Sequence, residues 1–293
     1  MFGKKKKDQD LAVRQEIEQA LREDPSQLEK DAGPLGRAFI NAVDKAVQLQ
    51  TSTIRTYVNW LRRQNPDASP AEIQQIMDKH LKNTVTGTGA GVGATAAVPG
   101  IGLITGAAAV AGESVLFLDL AAFYAVASAY LRGEDVSDPE RRRALVLSLL
   151  MGSKGLAIVD AMLGDDAGKI PGKSTLAKFS GPMLANTNNV LQRVAMRSMQ
   201  KSLRRAWLGK LMSLGIGAVA GTTANRKLAD GVIDNVQSGL GAVPAGFATP
   251  LPEPDSKDED GKALSLNPKE FAAWILGVFK DGDKDGDKGG SDN

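Results

Sequence analysis

Apolar positions recur at helical spacing along almost the whole chain, and no convincing stretch shows the two-residue alternation of a half-buried strand. Residues 8–24 carry Leu11, Ile17, Ala20 and Leu21 on a thin stripe, which predicts a short polar helix. Residues 34–64 predict a long helix, with Phe39, Val43, Val47, Ile54, Val58 and Leu61 keeping one face apolar. Asn65-Pro66-Asp67 closes it, because proline disfavours the helical conformation of the residue before it. Ser69-Pro70-Ala71-Glu72 opens the next: Ser69 suits the cap, Pro70 the first helical position, and Glu72 lies three residues after the cap. That helix passes through Ile73, Ile76, Met77 and Leu81 and then enters an uncharged run over 84–98. Pro99-Gly100 marks a turn, and a second apolar helix follows over 101–131, ending near Arg132-Gly133. Asp138-Pro139-Glu140 starts another, with Arg141, Arg142 and Arg143 in its first turns and Ala144 to Met151 behind them.

Residues 156–163 are apolar and 164–186 read as loop. A basic amphipathic helix covers 187–210, and a Gly-rich apolar stretch covers 211–224. Pro244, Pro250, Pro252 and Pro254 make 242–266 a charged, proline-rich linker. Asn267-Pro268 caps a short amphipathic helix over 267–280, and 281–293 reads as a disordered acidic tail. The expected class is all-α. A polar helix with a polybasic start occupies 1–33, and a helical bundle with a Gly/Ala-rich apolar hairpin occupies 34–241.

Composition narrows the chemistry. Among 293 residues there is no Cys and one His, His80. Disulfides, thiolate zinc sites, cysteine nucleophiles and the two-His zinc helix are therefore excluded, and no cofactor or metal is expected. His80 itself reads as a surface or half-buried side chain. Nothing after Met1-Phe2-Gly3 and Lys4, Lys5, Lys6 and Lys7 resembles the apolar core of a secretory signal, which predicts a cytoplasmic start.

Asn83 to Gly112 is thirty residues without a charge, holding eight Gly, eight Ala and only seven Val, Leu or Ile. About 20 apolar residues span a bilayer, so the length permits one span or a hairpin dipping in. The small residues recur four apart, as in Gly89 with Gly93 and Gly102 with Gly106, which lets two backbones approach closely. Leu211 to Asn225 is a second uncharged run, with Gly217 and Gly221 at the same spacing. A tight soluble core of Ala/Gly helices and membrane insertion both fit this pattern. Glu113, Asp119 and Asp160 interrupt the apolar surroundings. In lipid they would mark functional positions, and in a core they would be internal ion pairs, with Arg141 to Arg143 as candidate partners.

The formal net charge of +2 conceals segregation. Residues 167–229 hold eleven positive charges and no acid, while 252–293 hold eleven acids against six lysines. A basic region with an acidic tail points to an anionic partner for which the tail competes. Arg193, Arg197, Lys201, Arg204, Arg205 and Lys210 form a positive stripe on the basic helix, with Trp207 among the apolar residues beside it. Such a helix can lie in the headgroup plane of an anionic membrane, with the cations of Lys4 to Lys7 adding to it. Nucleic acid wants the same charges, but aromatic residues for base stacking are missing apart from Trp207, which speaks against it.

Four motifs are set aside. Gly89-Ala90-Gly91-Val92-Gly93-Ala94 mimics a dinucleotide fingerprint but follows a helix instead of a strand. Gly168-Lys169-Ile170-Pro171-Gly172-Lys173-Ser174 is one residue short of a P-loop, and Pro171 removes an N–H that should cradle phosphate. Ser198 and Lys201 match a four-residue catalytic signature but have no partner motif. Asp281 to Gly286 copies half of a calcium loop, yet Lys284 and Lys288 oppose a cation and no Glu closes the loop.

Several stretches together resemble the EcsC family in an actinobacterial form. They are Asn83-Thr84-Val85-Thr86 leading into the Gly/Ala segment, Ala97-Val98-Pro99-Gly100-Ile101-Gly102, Asp138 to Arg143 with Ala144-Leu145-Val146-Leu147, and Gly215 to Gly221 with Asn225-Arg226. The resemblance spans residues 40–235 and implies a bacterial, helical, cytoplasmic or membrane-associated protein, with no catalytic residues to carry over. The family takes its name from a protein encoded beside an ABC transporter, which suggests an accessory to membrane transport. The expected function is non-enzymatic docking at the inner face of the cell membrane, on anionic lipid or a membrane protein, through helix 187–210 and hairpin 84–131. A homo-oligomer is compatible with this. The alternatives are a soluble module that binds an acidic protein, and an enzyme using Glu113, Asp119 and Asp160 as acid–base groups.

Overall fold

The computed structural model describes residues 2–48, 51–96, 102–163, 182–210 and 218–252; over 2–10, 32–38, 87–96, 102–116, 199–210 and 218–225 it describes the backbone path. Among these residues there are nine helices and no strand. They are α1 (Phe2–Arg22), α2 (Pro25–Gln48), α3 (Thr51–Gln64), α4 (Pro70–Ala96), α5 (Gly102–Leu131), α6 (Pro139–Leu150), α7 (Ser153–Leu163), α8 (Pro182–Lys210) and α9 (Ala218–Leu240).

Local signals set several ends. Ser69 and Glu72 form a reciprocal capping box: the Glu72 carboxylate accepts from the Ser69 N–H at 2.7 Å, and Ser69 Oγ accepts from the Glu72 N–H at 3.3 Å. Asp138 accepts from the Glu140 and Arg141 amides ahead of Pro139, at the start of α6. α5 ends at Gly133 in the left-handed region, φ +79°, where the Glu134 N–H reaches the Ala129 carbonyl and the Gly133 N–H reaches that of Tyr130.

Four boundaries differ from the sequence pattern. α1, expected over 8–24, begins at Phe2 and ends at Arg22. The helix expected over 34–64 is two helices, and the first starts at Pro25. Asp24 caps it by accepting from the Ser26 N–H at 2.8 Å, and packing of Leu28 carries the helix through Gly33-Pro34. The basic helix begins at Pro182, five residues before the expected 187, because Leu184 and Thr187 are buried. Residues 226–240 form most of α9, an element that the pattern did not separate. The second half of the expected linker, the short helix at 267–280 and the tail lie outside the described residues.

The C-terminal half of α5 is the centre of the molecule. Every residue from Asp119 to Ala129 is buried. A helix that is apolar all round needs neighbours on every side, and α2, α3, α4, α6 and α9 supply them. Phe123, Leu120, Ile54, Leu61, Ile73, Leu145 and Leu191 are among its fully buried side chains, each worth about 1.5–3 kcal/mol on burial.

Contacts set the helix directions. Lys82 pairs with Asp230 at 2.7 Å and Gln237 donates to Asp78 at 2.8 Å, so α4 and α9 are antiparallel. Gln74 meets Ser128 while Asp78 meets Tyr124, so α4 and α5 are antiparallel too. Tyr57 lies against Phe123 and Arg62 shares a groove with Tyr130, so α3 follows α5 in its own direction, and Lys45 near the end of α2 reaches Asp119. α8 runs against α2. Asn188 bonds Glu140 of α6, whose Arg143 holds Asp44, while Met196 packs on Leu28 and Ile40.

Between α6 and α7 the chain turns at Gly152, φ +62°. A Cβ on Gly155 would lie 2.3 Å from the Ser148 carbonyl oxygen and 2.8 Å from its Cα. That neighbour is backbone and cannot rotate away, so Gly155→Ala should cost about 1–3 kcal/mol. A thermal melt that matches the parent would show that this corner has slack.

Candidate functional site

The cationic stripe on α8 is partly occupied within the chain. Arg193 donates to the carbonyls of Leu21 and Glu23 at 3.3 and 3.2 Å, meeting the C-terminal end of α1. Arg197 donates to Gln19 Oε1 at 2.8 Å and pairs with Glu23 at 2.7 Å. On α7, Lys154 pairs with Glu16 and donates to Ser198 Oγ at 2.8 Å. The side chains of Lys201, Arg204, Arg205, Trp207 and Lys210, and of Lys4 to Lys7, lie outside the described residues, although their helices are described.

Of the three acids in apolar surroundings, Asp119 is buried and pairs with Lys45 of α2 at 3.8 Å. The arginines considered for that role go elsewhere: Arg141 to Glu134 and Asp135, and Arg143 to Asp44 and Glu140. The side chains of Glu113 and Asp160 are outside the described residues. Gly89 and Gly93 lie on α4, Gly102 and Gly106 on α5, and Gly221 on α9. These helices do pack, α4 against both of the others. The surroundings of the individual glycines, and Gly217 itself, are outside the described residues.

Sequence reasoning missed a buried polar network. Arg132 Nη1 donates to Gln74 Oε1 at 2.6 Å and to the Ser128 carbonyl at 3.0 Å, and its Nε donates to the Gly241 carbonyl at 3.2 Å. The Gln74 amide lies within reach of Asp78, Tyr124 and Ser128, and Tyr124 Oη donates to Asp78 at 2.6 Å. The other oxygen of Asp78 takes the Gln237 amide. Burial, with Asp78 alongside, pushes the Tyr124 phenol far above its ordinary pKa. A carboxylate beside a phenol invites a catalytic reading. However, the adjoining cavity holds only about 10 Å³, room for one water at most. Among the described residues this network ties α4, α5 and α9 together and has no space for a substrate.

His80 is buried on α4, with its Nδ1 3.1 Å from Tyr57 Oη. Burial pulls its pKa below the ordinary 6.5. The fold thus keeps the ring neutral where the unfolded chain would protonate it. Stability is then full above the unfolded value and falls as pH drops from there toward the lowered folded value. Urea midpoints should decline across that window in the parent and stay flat in His80→Gln. A flat parent would contradict the burial.

A groove of about 440 Å³ lies at the end of α3 and α5. Phe247, Ala248, Thr249, Pro250 and Pro252 form one wall. The Arg62 guanidinium stacks on Phe247 at 3.9 Å and donates to the Thr249 carbonyl, and Arg63 donates to the Pro252 carbonyl. The first part of the expected linker is thus strapped to the bundle.

The helix directions bring the described parts of the uncharged segments together. The C-terminal end of α4 and the N-terminal ends of α5 and α9 point to one pole, opposite the strap, and α8 runs toward it from Asn188, beside Glu140 of α6, to Ser198, beside Lys154 of α7. Below it, Arg226, Lys227 and Leu228 are exposed on α9, and Lys79 is exposed on α4. No helix among the described residues is long and apolar enough to cross a membrane. No family model, curated protein or solved structure matches the chain.

Proposed function

We propose that this chain is a non-enzymatic helical protein that docks on anionic lipid at the inner face of a bacterial membrane by this pole. The observation that supports it is the convergence of the described parts of both uncharged segments, 83–96 and 102–112 on α4 and α5 and 218–225 on α9, with the end of α8 that carries Lys201, Arg204, Arg205 and Lys210, beside exposed Arg226 and Lys227. Helix ends whose sequence carries no charge over these stretches, with exposed cations beside them, suit the boundary between acyl chains and anionic headgroups, where long basic side chains keep their charge in the headgroup layer. A protein lying on the surface by helix ends needs no helix that spans it. The resemblance to the EcsC family is compatible with this reading. Flotation with vesicles tests it: recovery with phosphatidylcholine plus phosphatidylglycerol should exceed recovery with phosphatidylcholine alone, and added salt should reduce it. Equal recovery on both would remove the electrostatic part, and none on either would end the proposal.

A second reading is a soluble module that grips an acidic protein. The acidic end of α1 held by Arg193 and Arg197 favours it. In that case the anionic vesicles would recover nothing, while the chain would still bind acidic polypeptide.

A further inference from the structure

Arg193 and Arg197 begin the cationic stripe, and both are spent on α1. The grip of α1 on the bundle is thin. It buries Ile17 and Ala20, while Leu11 and Leu21 stay exposed. Val13 packs half-buried beside Ile17 and Ala20, and the other contacts of α1 among the described residues are polar: Glu16 on Lys154, Gln19 and Glu23 on Arg197, and two terminal carbonyls on Arg193. A helix C-terminus carries partial negative charge, so α1 presents to α8 what an anionic headgroup would present: carboxylate and carbonyl oxygens. The two cannot occupy the same guanidinium groups together.

We infer that α1 is an internal competitor of anionic lipid for the face formed by Lys154, Arg193 and Arg197, and that binding to an anionic surface displaces it. This rests on the membrane reading above and adds its regulation. Displacement frees cations on α7 and α8 and lets Lys4 to Lys7, at the far end of α1, turn to the same surface. The contest is between charge-assisted hydrogen bonds of similar kind, so the outcome depends on the density of anionic lipid. The chain would then discriminate between sparse and dense anionic surfaces more sharply than a permanently open stripe.

The test uses the full chain in two ways. Glu16→Gln with Glu23→Gln weakens the seam. Glu18→Gln with Asp31→Asn makes the same change in net charge at exposed positions, where Glu18 pairs with Arg22 of its own helix and Asp31 accepts from Gln27. The seam variant should bind vesicles of phosphatidylcholine with phosphatidylglycerol about fivefold tighter than the control for each cation released. Conversely, because the chain has no cysteine, Glu16→Cys with Lys154→Cys can be joined by a short bis-maleimide to lock α1 in place. The linked protein should bind those vesicles more weakly than the same protein capped with a monofunctional maleimide. If the seam variant matches the control, or linked and capped proteins bind alike while both float, α1 does not compete and the inference falls alone. If the parent and every variant fail to float with anionic vesicles, the membrane reading has failed and takes this inference with it.

Discussion

Arg132→Ala is expected to destabilise the fold by about 3–5 kcal/mol, the cost of breaking a buried charged network from one side. The guanidinium is 3% exposed and serves three acceptors on three segments: Gln74 of α4, Ser128 of α5 and the Gly241 carbonyl beyond α9. Its removal strands buried Gln74 Oε1, costing about 1–3 kcal/mol as an unsatisfied group, and frees the part-buried Gly241 carbonyl from its tie to α5. Gln74 also orients Tyr124 and Asp78, so the loss spreads to the α4–α9 contact. Domains are stable by only about 5–15 kcal/mol, and a melting temperature lower by about 10 °C follows at this size. Arg132→Lys should recover part of the loss, since an ammonium keeps the charge but cannot reach three acceptors as a planar fork does. A variant melting within a degree or two of the parent would show that the network is not what joins these helices.

The second large effect concerns binding. Arg226→Gln with Lys227→Gln removes two exposed cations from the collar below the uncharged pole. Each cation close to an anionic surface contributes about 1 kcal/mol, so affinity for phosphatidylglycerol-containing vesicles should fall about thirtyfold. Arg55→Gln with Arg63→Gln makes the same charge change beside the strap at the other end of the bundle, and should leave binding near the parent value. If both pairs lower affinity equally, net charge and not position governs docking, and the pole has no special part.

What the sequence announces is local. Ser69 with Glu72, Asp138 with Pro139, and Gly133 each act within a turn of their own position, and each appears where the pattern places it. Asp24-Pro25 carries the same signal as Asp138-Pro139, but Gly33-Pro34 looks like a stronger boundary; the packing of Leu28 and Phe39 against the bundle outweighs it. The all-round apolar character of α5 fits a membrane span and a buried core helix equally well. Only the neighbours packed around this helix distinguish them, and those come from five other helices.

The polar network is illegible for the same reason. Gln74, Asp78 and Gln237 sit at ordinary mid-helix positions, and their partners are 46 to 159 residues away in the chain. Arg193 and Arg197 are visible as a basic stripe. Their engagement by α1 is not, because it depends on the N-terminal helix returning to lie along α7 and α8. The uncharged runs 83–112 and 211–225 read as two separate features; the pairs Lys82–Asp230 and Asp78–Gln237 are what bring their described parts on α4 and α9 side by side.

Because the chain has no native cysteine, one introduced thiol reports on one place, and this gives the most direct measurement of which end meets the membrane. Val92→Cys puts an environment-sensitive fluorophore on α4 near the uncharged pole. Ser137→Cys puts it in the exposed loop between α5 and α6. On adding vesicles of phosphatidylcholine with phosphatidylglycerol, the emission at position 92 should shift to the blue and rise in intensity, with position 137 unchanged, and phosphatidylcholine alone should move neither. No change at position 92, or the same change at both positions, would contradict docking by this pole.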